Sequence, residues 1–148
     1  TEFHILLPAI GISHDEIFKE SPQAISYGNE RVLVLEDNPT IQTTFTRILR
    51  FLGYQTKIYE TGEDIIEAYK EHLDKRKFDW VILDLTIPGG MGAKETITEL
   101  LAIDPSVKAI ISSGFSTEEA ILHFQEFGFS DVLLKPFSIE DLSEVLKT

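Results

Sequence analysis

The sequence contains no cysteine among its 148 residues. A disulfide framework, a thiolate metal site and a cysteine nucleophile are therefore excluded, and the composition fits a reducing compartment. The chain also lacks an apolar run near the ~18 residues that cross a bilayer, and Ile5–Leu7 is too short for a signal peptide. These absences predict a cytoplasmic chain that makes no direct contact with a membrane.

Basic residues are scarce relative to acidic ones. Lys and Arg number 13 against 25 Asp and Glu, which gives a formal net charge of −12. Proteins that bind DNA or RNA need a basic face to displace counterions, so a nucleic acid partner is not expected. The acidity has two interpretations: it keeps the protein soluble, or part of it forms a carboxylate cluster that needs a cation.

Apolar runs alternate along the chain with segments of helical period. Runs such as Arg-Val-Leu-Val-Leu lack a polar face, which is typical of strands buried on both sides in a parallel sheet. The more polar second run predicts a strand nearer an edge. Five strands alternating with five helices predict an α/β fold with a doubly wound, five-stranded parallel sheet. The predicted strands are Arg31–Leu35, Tyr54–Tyr59, Phe78–Leu85, Val107–Ser113 and Asp131–Leu134.

Two predicted helices carry clear boundary signals. Asn38-Pro39 opens the first helix, since Asn suits the N-cap and Pro suits the first turn. Ser116 and Glu119 form a capping box for the fourth helix, which is expected to end near Gly128.

Polar residues stand at the carboxyl ends of four predicted strands. In open parallel sheets the functional site lies at this edge. We therefore expect Glu36, Asp37, Asp84, Ser113 and Lys135 to converge there.

The expected cluster brings three carboxylates together with one ammonium group. Two carboxylates about 4 Å apart repel each other by roughly 4 kcal/mol at an effective dielectric constant near 20. A hard cation bound by oxygens relieves this repulsion, and Mg²⁺ uses few carboxylates while keeping several waters. In such a site Asp84 can act as the nucleophile toward a phosphoryl group, while Lys135 and Ser113 contact its oxygens.

Each of these residues, taken alone, has an ordinary structural interpretation. Acidic residues after a strand favour the N-terminus of the next helix, Asp84 suits a turn, and Lys135 before a proline suits a loop. Ser113 can satisfy backbone groups. Their placement at the ends of four different strands favours a functional site instead.

Over about Glu30–Lys147 the chain resembles the receiver (response-regulator) domain of two-component signalling, which implies a flavodoxin-like fold. The resemblance is carried by the acidic pair Glu36-Asp37, Asp84 after Val-Ile-Leu, the loop from Pro88 to Gly92, Ser113, Gly128 and Lys135-Pro136-Phe137.

The same resemblance implies a role for each site residue. Asp84 would be the phospho-acceptor, Ser113 the switch hydroxyl and Lys135 the contact to the phosphoryl group, with a cis bond before Pro136. A divalent cation, Mg²⁺ or another such as Mn²⁺ or Ca²⁺, would be held by Glu36, Asp37, Asp84 and the backbone carbonyl of Thr86.

Two positions depart from the commonest pattern of that family. Val132 stands three residues before Lys135, where an aromatic residue is frequent, and Phe115 stands two residues after Ser113, where polar residues are frequent. The first departure predicts a switch that works without an aromatic rotamer, and the second predicts slow loss of the phosphoryl group.

Residues 1–29 stand outside the repeating pattern and are expected to form a leader before a receiver domain at 30–148. Thr1–Pro8 resembles the last strand of a histidine-kinase ATP-binding domain, although an arbitrary alternating segment is the alternative. The resemblance implies the C-terminal receiver of a hybrid sensor histidine kinase. Its partner would be a histidine kinase or histidine phosphotransfer domain, within the same parent chain or on a separate one. The leader itself is expected to add little stability.

Two other classes of function compete with a phosphoryl acceptor. A phosphatase with an Asp nucleophile on a similar sheet usually carries a second Asp two residues later, where Thr86 stands. A pseudo-receiver that only docks partners should lack the acidic pair, Asp84 or Lys135. The sequence therefore favours a receiver that promotes only its own Mg²⁺-dependent phosphorylation and dephosphorylation and is not an enzyme acting on a separate substrate.

Overall fold

Strands and helices alternate along the chain as the apolar pattern predicts. The computed structural model describes residues 25–114 and 119–147. No helix within these ranges is long and apolar enough to cross a bilayer. The strands are β1 (Arg31–Leu35), β2 (Gln55–Tyr59), β3 (Trp80–Asp84), β4 (Ala109–Ser113) and β5 (Asp131–Leu134). The helices are α1 (Pro39–Leu52), α2 (Gly62–Leu73), α3 (Ala93–Ile103), α4 (Glu119–Leu122) and α5 (Ile139–Val145).

All five strands pair in parallel, in the order β2-β1-β3-β4-β5. This confirms the predicted doubly wound sheet with five helices, and the polar strand β2 lies at an edge as expected. Helices α1 and α5 cover one face of the sheet, and α2, α3 and α4 cover the other. The strand order reverses between β1 and β3, and open α/β sheets bind ligands at the carboxyl ends of such a pair.

Alternate residues of the central strands enter opposite layers of the core. In β1, Val32 and Val34 face α1 and α5, whereas Leu33 and Leu35 face the other three helices. All four are at most 1% exposed, and burying one aliphatic side chain of this size stabilises the fold by about 1.5–3 kcal/mol. The same alternation decides on which side of the sheet the polar residues at the strand ends stand.

Helix α1 begins directly after the acidic pair. The Asn38 side chain accepts hydrogen bonds from the backbone N–H groups of Thr40 and Ile41 at 2.9 and 3.4 Å, and Pro39 occupies the first turn. Gly53 ends the helix with a φ of 95°, a conformation that a residue with a Cβ adopts only at a cost. The predicted start of this helix is confirmed, and the cap fixes where the chain leaves β1.

The fourth helix ends earlier than predicted. Its described part covers Glu119–Leu122, and a 3₁₀ turn over Phe124–Phe127 follows it before Gly128, whose φ is 91°. The first and last residues of this turn both pack against the core, and their spacing of three matches the 3₁₀ period rather than the α-helical one. The predicted capping residue Ser116 lies outside the described residues, as does Phe115.

Residues 25–29 pack against the layer formed by α1 and α5. The Ser26 N–H donates to Ser143 Oγ at 2.7 Å, and this hydroxyl donates back to the Ser26 carbonyl at 3.2 Å. The Gly28 N–H donates to the Leu52 carbonyl at 2.9 Å, and Ile25 packs against the same layer. These contacts argue against a negligible contribution of the last five leader residues. Residues 1–24, with the kinase-like segment, lie outside the described residues, and the domain boundary at 29/30 stays a prediction.

A buried carboxylate ties α2 to α3 at the edge where the strands begin. Asp104 accepts a hydrogen bond from the Tyr69 hydroxyl at 2.7 Å and pairs with Lys77 Nζ at 2.5 Å. Its other oxygen accepts from the Ser106 N–H and hydroxyl at 2.9 and 2.7 Å. Burial alone would raise the pKa of Asp104, but the bonds from Lys77, Ser106 and Tyr69 outweigh burial and hold this pKa well below its ordinary value.

Candidate functional site

Three carboxylates lie together at the carboxyl edge of β1 and β3. The two strands are paired neighbours with Leu35 opposite Leu83, so the acidic pair that follows β1 stands beside Asp84. One carboxylate oxygen from each of Glu36, Asp37 and Asp84 lies within 4.8 Å of the other two. The structure therefore brings together the acidic residues that the sequence singles out, while their roles stay a prediction.

Lys135 reaches this cluster from the end of β5. Its Nζ donates to Glu36 Oε2 at 2.6 Å and to Asp84 Oδ2 at 2.8 Å. Strand β4 lies between β5 and β3, so the lysine side chain crosses β4 to make these bonds. The bond between Lys135 and Pro136 is cis, as the resemblance implies. The backbone N–H of Lys135 also donates to the Ser113 carbonyl at 2.7 Å. This bond fixes the backbone from which the lysine side chain extends across β4.

Burial makes the charge of this cluster costly. Glu36 is 1% exposed, and burial raises the pKa of its carboxyl, which the bonds from Lys135 and from the Asn38 N–H offset only in part. A raised pKa means that the ionised carboxylate is disfavoured inside the protein. One ammonium group faces three carboxylates, so the site has a net negative charge that favours binding of a further cation.

The two hydroxyl-bearing residues of the predicted site stand at or just after the ends of different strands. Ser113 is the last residue of β4 and is 2% exposed, at the same edge of the sheet as Asp84. Thr86 is exposed in the loop after β3, and its N–H lies 3.4 Å from Asp84 Oδ1. Both residues therefore flank the aspartate, and the proposed ligand role of the Thr86 carbonyl stays a prediction.

Two contacts that hold Glu36 were not predicted from the sequence. Gln42 Nε2 donates to the Glu36 carbonyl at 2.7 Å, and the Asn38 N–H donates to Glu36 Oε1 at 3.0 Å. The available signal is spacing, because Gln42 stands about one helical turn after the Asn38 cap and so returns to the end of β1. Both bonds fasten the acidic pair to the first turn of α1.

An apolar cleft adjoins the carboxylate cluster. It has a volume of about 320 Å³ and lies between α1 and the loop before α5. The ring of Phe137, which lines the cleft, contacts Phe45 of α1 with 4.7 Å between centroids. A partner side chain bound in the cleft would lie next to Lys135. The lining residues are Ile41, Thr44, Lys135, Pro136 and Phe137.

The arrangement can hold a cation and an anion side by side. Carboxylate oxygens are the ligands that hard divalent cations prefer. Lys135 presents a mobile point charge to the oxygens of a tetrahedral anion. Asp84 belongs to the group of carboxylates that can bind the cation and also contacts Lys135, which can bind the anion. A carboxylate nucleophile requires this position.

Comparison with known proteins identifies one family throughout the domain. The sequence model of the response regulator receiver domain matches residues 32–147. The chemotaxis protein CheY of Thermotoga maritima is 30% identical over 123 residues, which cover 80% of this chain and 98% of that protein. The sporulation initiation phosphotransferase F of Bacillus subtilis is 27% identical over 119 residues, which cover 80% and 92% of the two chains.

Solved structures show the same fold. The receiver domain of the sensor histidine kinase PA1611 from Pseudomonas aeruginosa PAO1, which has a magnesium ion coordinated in its active-site cleft, matches with a TM-score of 0.70. The two chains are 23% identical, and the match covers 81% of this chain and 96% of that one. A receiver domain protein from Clostridium thermocellum matches with a TM-score of 0.71 at 25% identity, covering 80% and 91%.

Proposed function

Because the chain belongs to the response regulator receiver domain family, we propose that it accepts a phosphoryl group from a phosphohistidine onto Asp84. The observation that carries this proposal is the contact of Asp84 with Lys135 inside a cluster of three carboxylate residues. Phosphorylated Asp84 would be one of the successive phosphorylated residues of a phosphorelay. Its phosphorylation would switch a protein-interaction surface of the domain.

The donor set fits a hard divalent cation. Glu36, Asp37 and Asp84 each offer an oxygen within 4.8 Å of the others, and oxygen is the ligand that Mg²⁺, Mn²⁺ and Ca²⁺ prefer. The magnesium ion in the cleft of the PA1611 receiver domain supports the same choice. We assign Mg²⁺ to these residues, with the Thr86 carbonyl as a further ligand. When bound, the ion would neutralise charge on the transferring phosphoryl group.

The transfer forms one bond and breaks one. A carboxylate oxygen of Asp84 attacks phosphorus, so that an O–P bond forms while the N–P bond of phosphohistidine breaks and its electron pair returns to the imidazole. Lys135 moves from Asp84 to the phosphoryl oxygens, since its flexible stem lets the ammonium follow the charge. The Ser113 hydroxyl donates to another phosphoryl oxygen and draws the loop after β4 toward the site.

The phosphodonor would be a histidine kinase or a histidine phosphotransfer domain that docks beside Asp84. The apolar cleft next to Lys135 supports this placement, because it offers a docking surface adjacent to the acceptor. The similarity of Thr1–Pro8 to a kinase strand supports a donor in the same parent chain, a cytoplasmic hybrid histidine kinase. The domain itself would promote chemistry only on its own aspartate.

Intact-mass spectrometry tests the proposal directly. The protein is incubated with Mg²⁺ and a small phosphodonor such as acetyl phosphate, and a base-labile mass increase of about 80 Da is expected. Asp84→Asn should abolish the adduct, whereas Asp74→Asn, an exposed position at the end of α2, should keep it. An undiminished adduct on Asp84→Asn would exclude Asp84 as the acceptor.

A further inference from the structure

Ser112 has a buried hydroxyl that the structure leaves without a protein partner. The residue is 1% exposed, and its Oγ makes no hydrogen bond within the part of the chain that the structure describes. Buried polar side chains are nearly always hydrogen-bonded, so each exception needs a physical explanation. The position of Ser112 next to the carboxylate cluster suggests where that explanation lies.

Ser112 stands beside Asp84 on the same face of the sheet. The two residues are paired across β3 and β4, and directly paired strand residues point to the same side. Ser112 follows Ile110 by two residues and pairs with Leu133, and both apolar residues belong to the layer of α1 and α5. The backbone is fixed here, because the Leu85 N–H donates to the Ser112 carbonyl at 2.8 Å.

The neighbouring serine occupies the opposite side. Ser113 follows Ile111, which packs into the layer of α2, α3 and α4. Alternation along the strand therefore sends the hydroxyls of Ser112 and Ser113 to different faces. The two hydroxyls approach the end of β3 from opposite sides, and only Ser113 carries the role that the family resemblance assigns.

The Lys135 side chain crosses β4 on the face that carries Ser112. Lys135 follows Leu133 by two residues, so its side chain starts on the same face as Ser112, and its Nζ reaches Asp84 beyond β4. The unpartnered hydroxyl therefore belongs to the residue of β4 that is paired with Asp84, the aspartate that the lysine contacts.

We propose that Ser112 is a positioning residue whose hydroxyl donates to the Asp84 carboxyl group once Lys135 shifts to the phosphoryl group. The proposal rests on the proposed function. In the resting protein, Lys135 supplies the donor to Asp84 Oδ2. When the ammonium leaves, Asp84 loses this donor, and the carboxyl oxygen that is not bonded to phosphorus still has a lone pair that can accept a hydrogen bond. Rotation of the Ser112 side chain about χ1 brings its hydroxyl toward Asp84 without moving the backbone.

This role predicts opposite effects of one substitution on the two states. Ser112→Ala removes a buried hydroxyl that has no partner in the resting protein, so the resting protein should become more stable. The same substitution removes a donor from the loaded site, so binding of a phosphoryl mimic should weaken. A residue that merely fills space would not give this pair of effects.

The experiment measures both states in the full chain. Urea unfolding in EDTA reports the resting protein, and calorimetric titration with beryllofluoride in excess Mg²⁺ reports the loaded one. Thr56→Val is the matched control, because Thr56 carries another buried hydroxyl without a partner among the described residues, on the edge strand β2. Ser112→Cys, a close isostere with a weak donor, is the second variant.

Ser112→Ala should raise the folding equilibrium constant by about fivefold and lower beryllofluoride affinity by about tenfold, the usual size of one hydrogen-bond effect near charge. Thr56→Val should stabilise equally and leave the affinity unchanged, and Ser112→Cys should bind with intermediate affinity. Unchanged affinity in Ser112→Ala, or a loss of stability in EDTA, would overturn the proposal. Absence of binding in the wild type would instead refute the proposed function.

Discussion

Neutralising Asp37 should stabilise the metal-free protein and weaken its response to Mg²⁺. One oxygen of Asp37 lies within 4.8 Å of oxygens of Glu36 and Asp84. Lys135 donates to the other two carboxylates, so its charge offsets them more directly than it offsets Asp37. Asp37→Asn keeps the shape of the side chain and removes two repulsive interactions.

Coulomb's law sets the size of the effect. Two unit charges at the 4.8 Å upper limit of these separations repel each other by about 3.5 kcal/mol at an effective dielectric constant near 20, and by about 0.9 kcal/mol in water. Asp37 is half-buried, so solvent screens each repulsion toward the lower value. We expect the free energy of unfolding without metal to rise by about 2 kcal/mol.

Urea unfolding in EDTA and in excess Mg²⁺ measures both parts of this prediction. Mg²⁺ should stabilise the wild type by mass action and the Asp37→Asn protein much less. Asp74→Asn, which changes the net charge equally but lies at the end of α2, should leave both values near those of the wild type. A less stable Asp37→Asn protein in EDTA would refute the repulsion argument. An equal gain from Mg²⁺ in both proteins would remove Asp37 from the ligand set.

Three further predictions follow from the contacts. Asp104→Asn should lower the free energy of unfolding at pH 7 by about 2 kcal/mol, since Lys77 loses its carboxylate partner. Burial raises the pKa of Asp104, but hydrogen bonds outweigh burial and lower this pKa in the folded protein. The ionised Asp104 therefore stabilises the folded protein at pH values above the ordinary pKa of an aspartate. This stabilisation is lost as the pH falls below about 4. Urea unfolding of the variant should therefore depend less on pH there. A chain that begins at Glu30 should melt about 3–6 °C lower by circular dichroism, because Ser143 loses its bonds to the leader; equal melting temperatures would contradict this. The Ser113→Ala protein should still accept a phosphoryl group on Asp84, but beryllofluoride should change the amide chemical shifts of α4 less than in the wild type. Equal changes in both proteins would exclude Ser113 as the coupling residue.

The central strands were predictable because a strand that is buried on both faces is an almost continuous run of apolar residues. The apolar runs of β1 and β3 contain no polar face, and the polar run of β2 marks an edge. The predicted runs began too early at Phe78 and Val107, which are buried but precede β3 and β4. Val107 lies in a turn, where its N–H donates to the Asp104 carbonyl at 3.1 Å. Apolar loop residues that cover the core cannot be told from strand residues by sequence pattern.

The edge of the sheet that carries the site was predictable, but its internal contacts were not. Parallel strands share one direction, so the residues that follow them must meet at one edge. The path of Lys135 depends on strand order, which sequence spacing does not reveal. Ser112 and Ser113 look equivalent in the sequence, and only the register shows that Ser112 is the one that shares the face of Asp84. The pair of Asp104 and Lys77 joins two loops that no spacing rule connects.

The crossing of β4 by Lys135 also bears on the order in which the protein assembles. Its bonds join residues 99 and 51 positions apart along the chain. During synthesis β1 and β3 emerge well before β5, so Glu36 and Asp84 can meet before the ammonium group that offsets them exists. In the nascent chain, the two carboxylates therefore repel each other without a nearby positive charge until β5 pairs with β4. A divalent cation in the surrounding solution would weaken this repulsion earlier and is expected to speed the docking of β5.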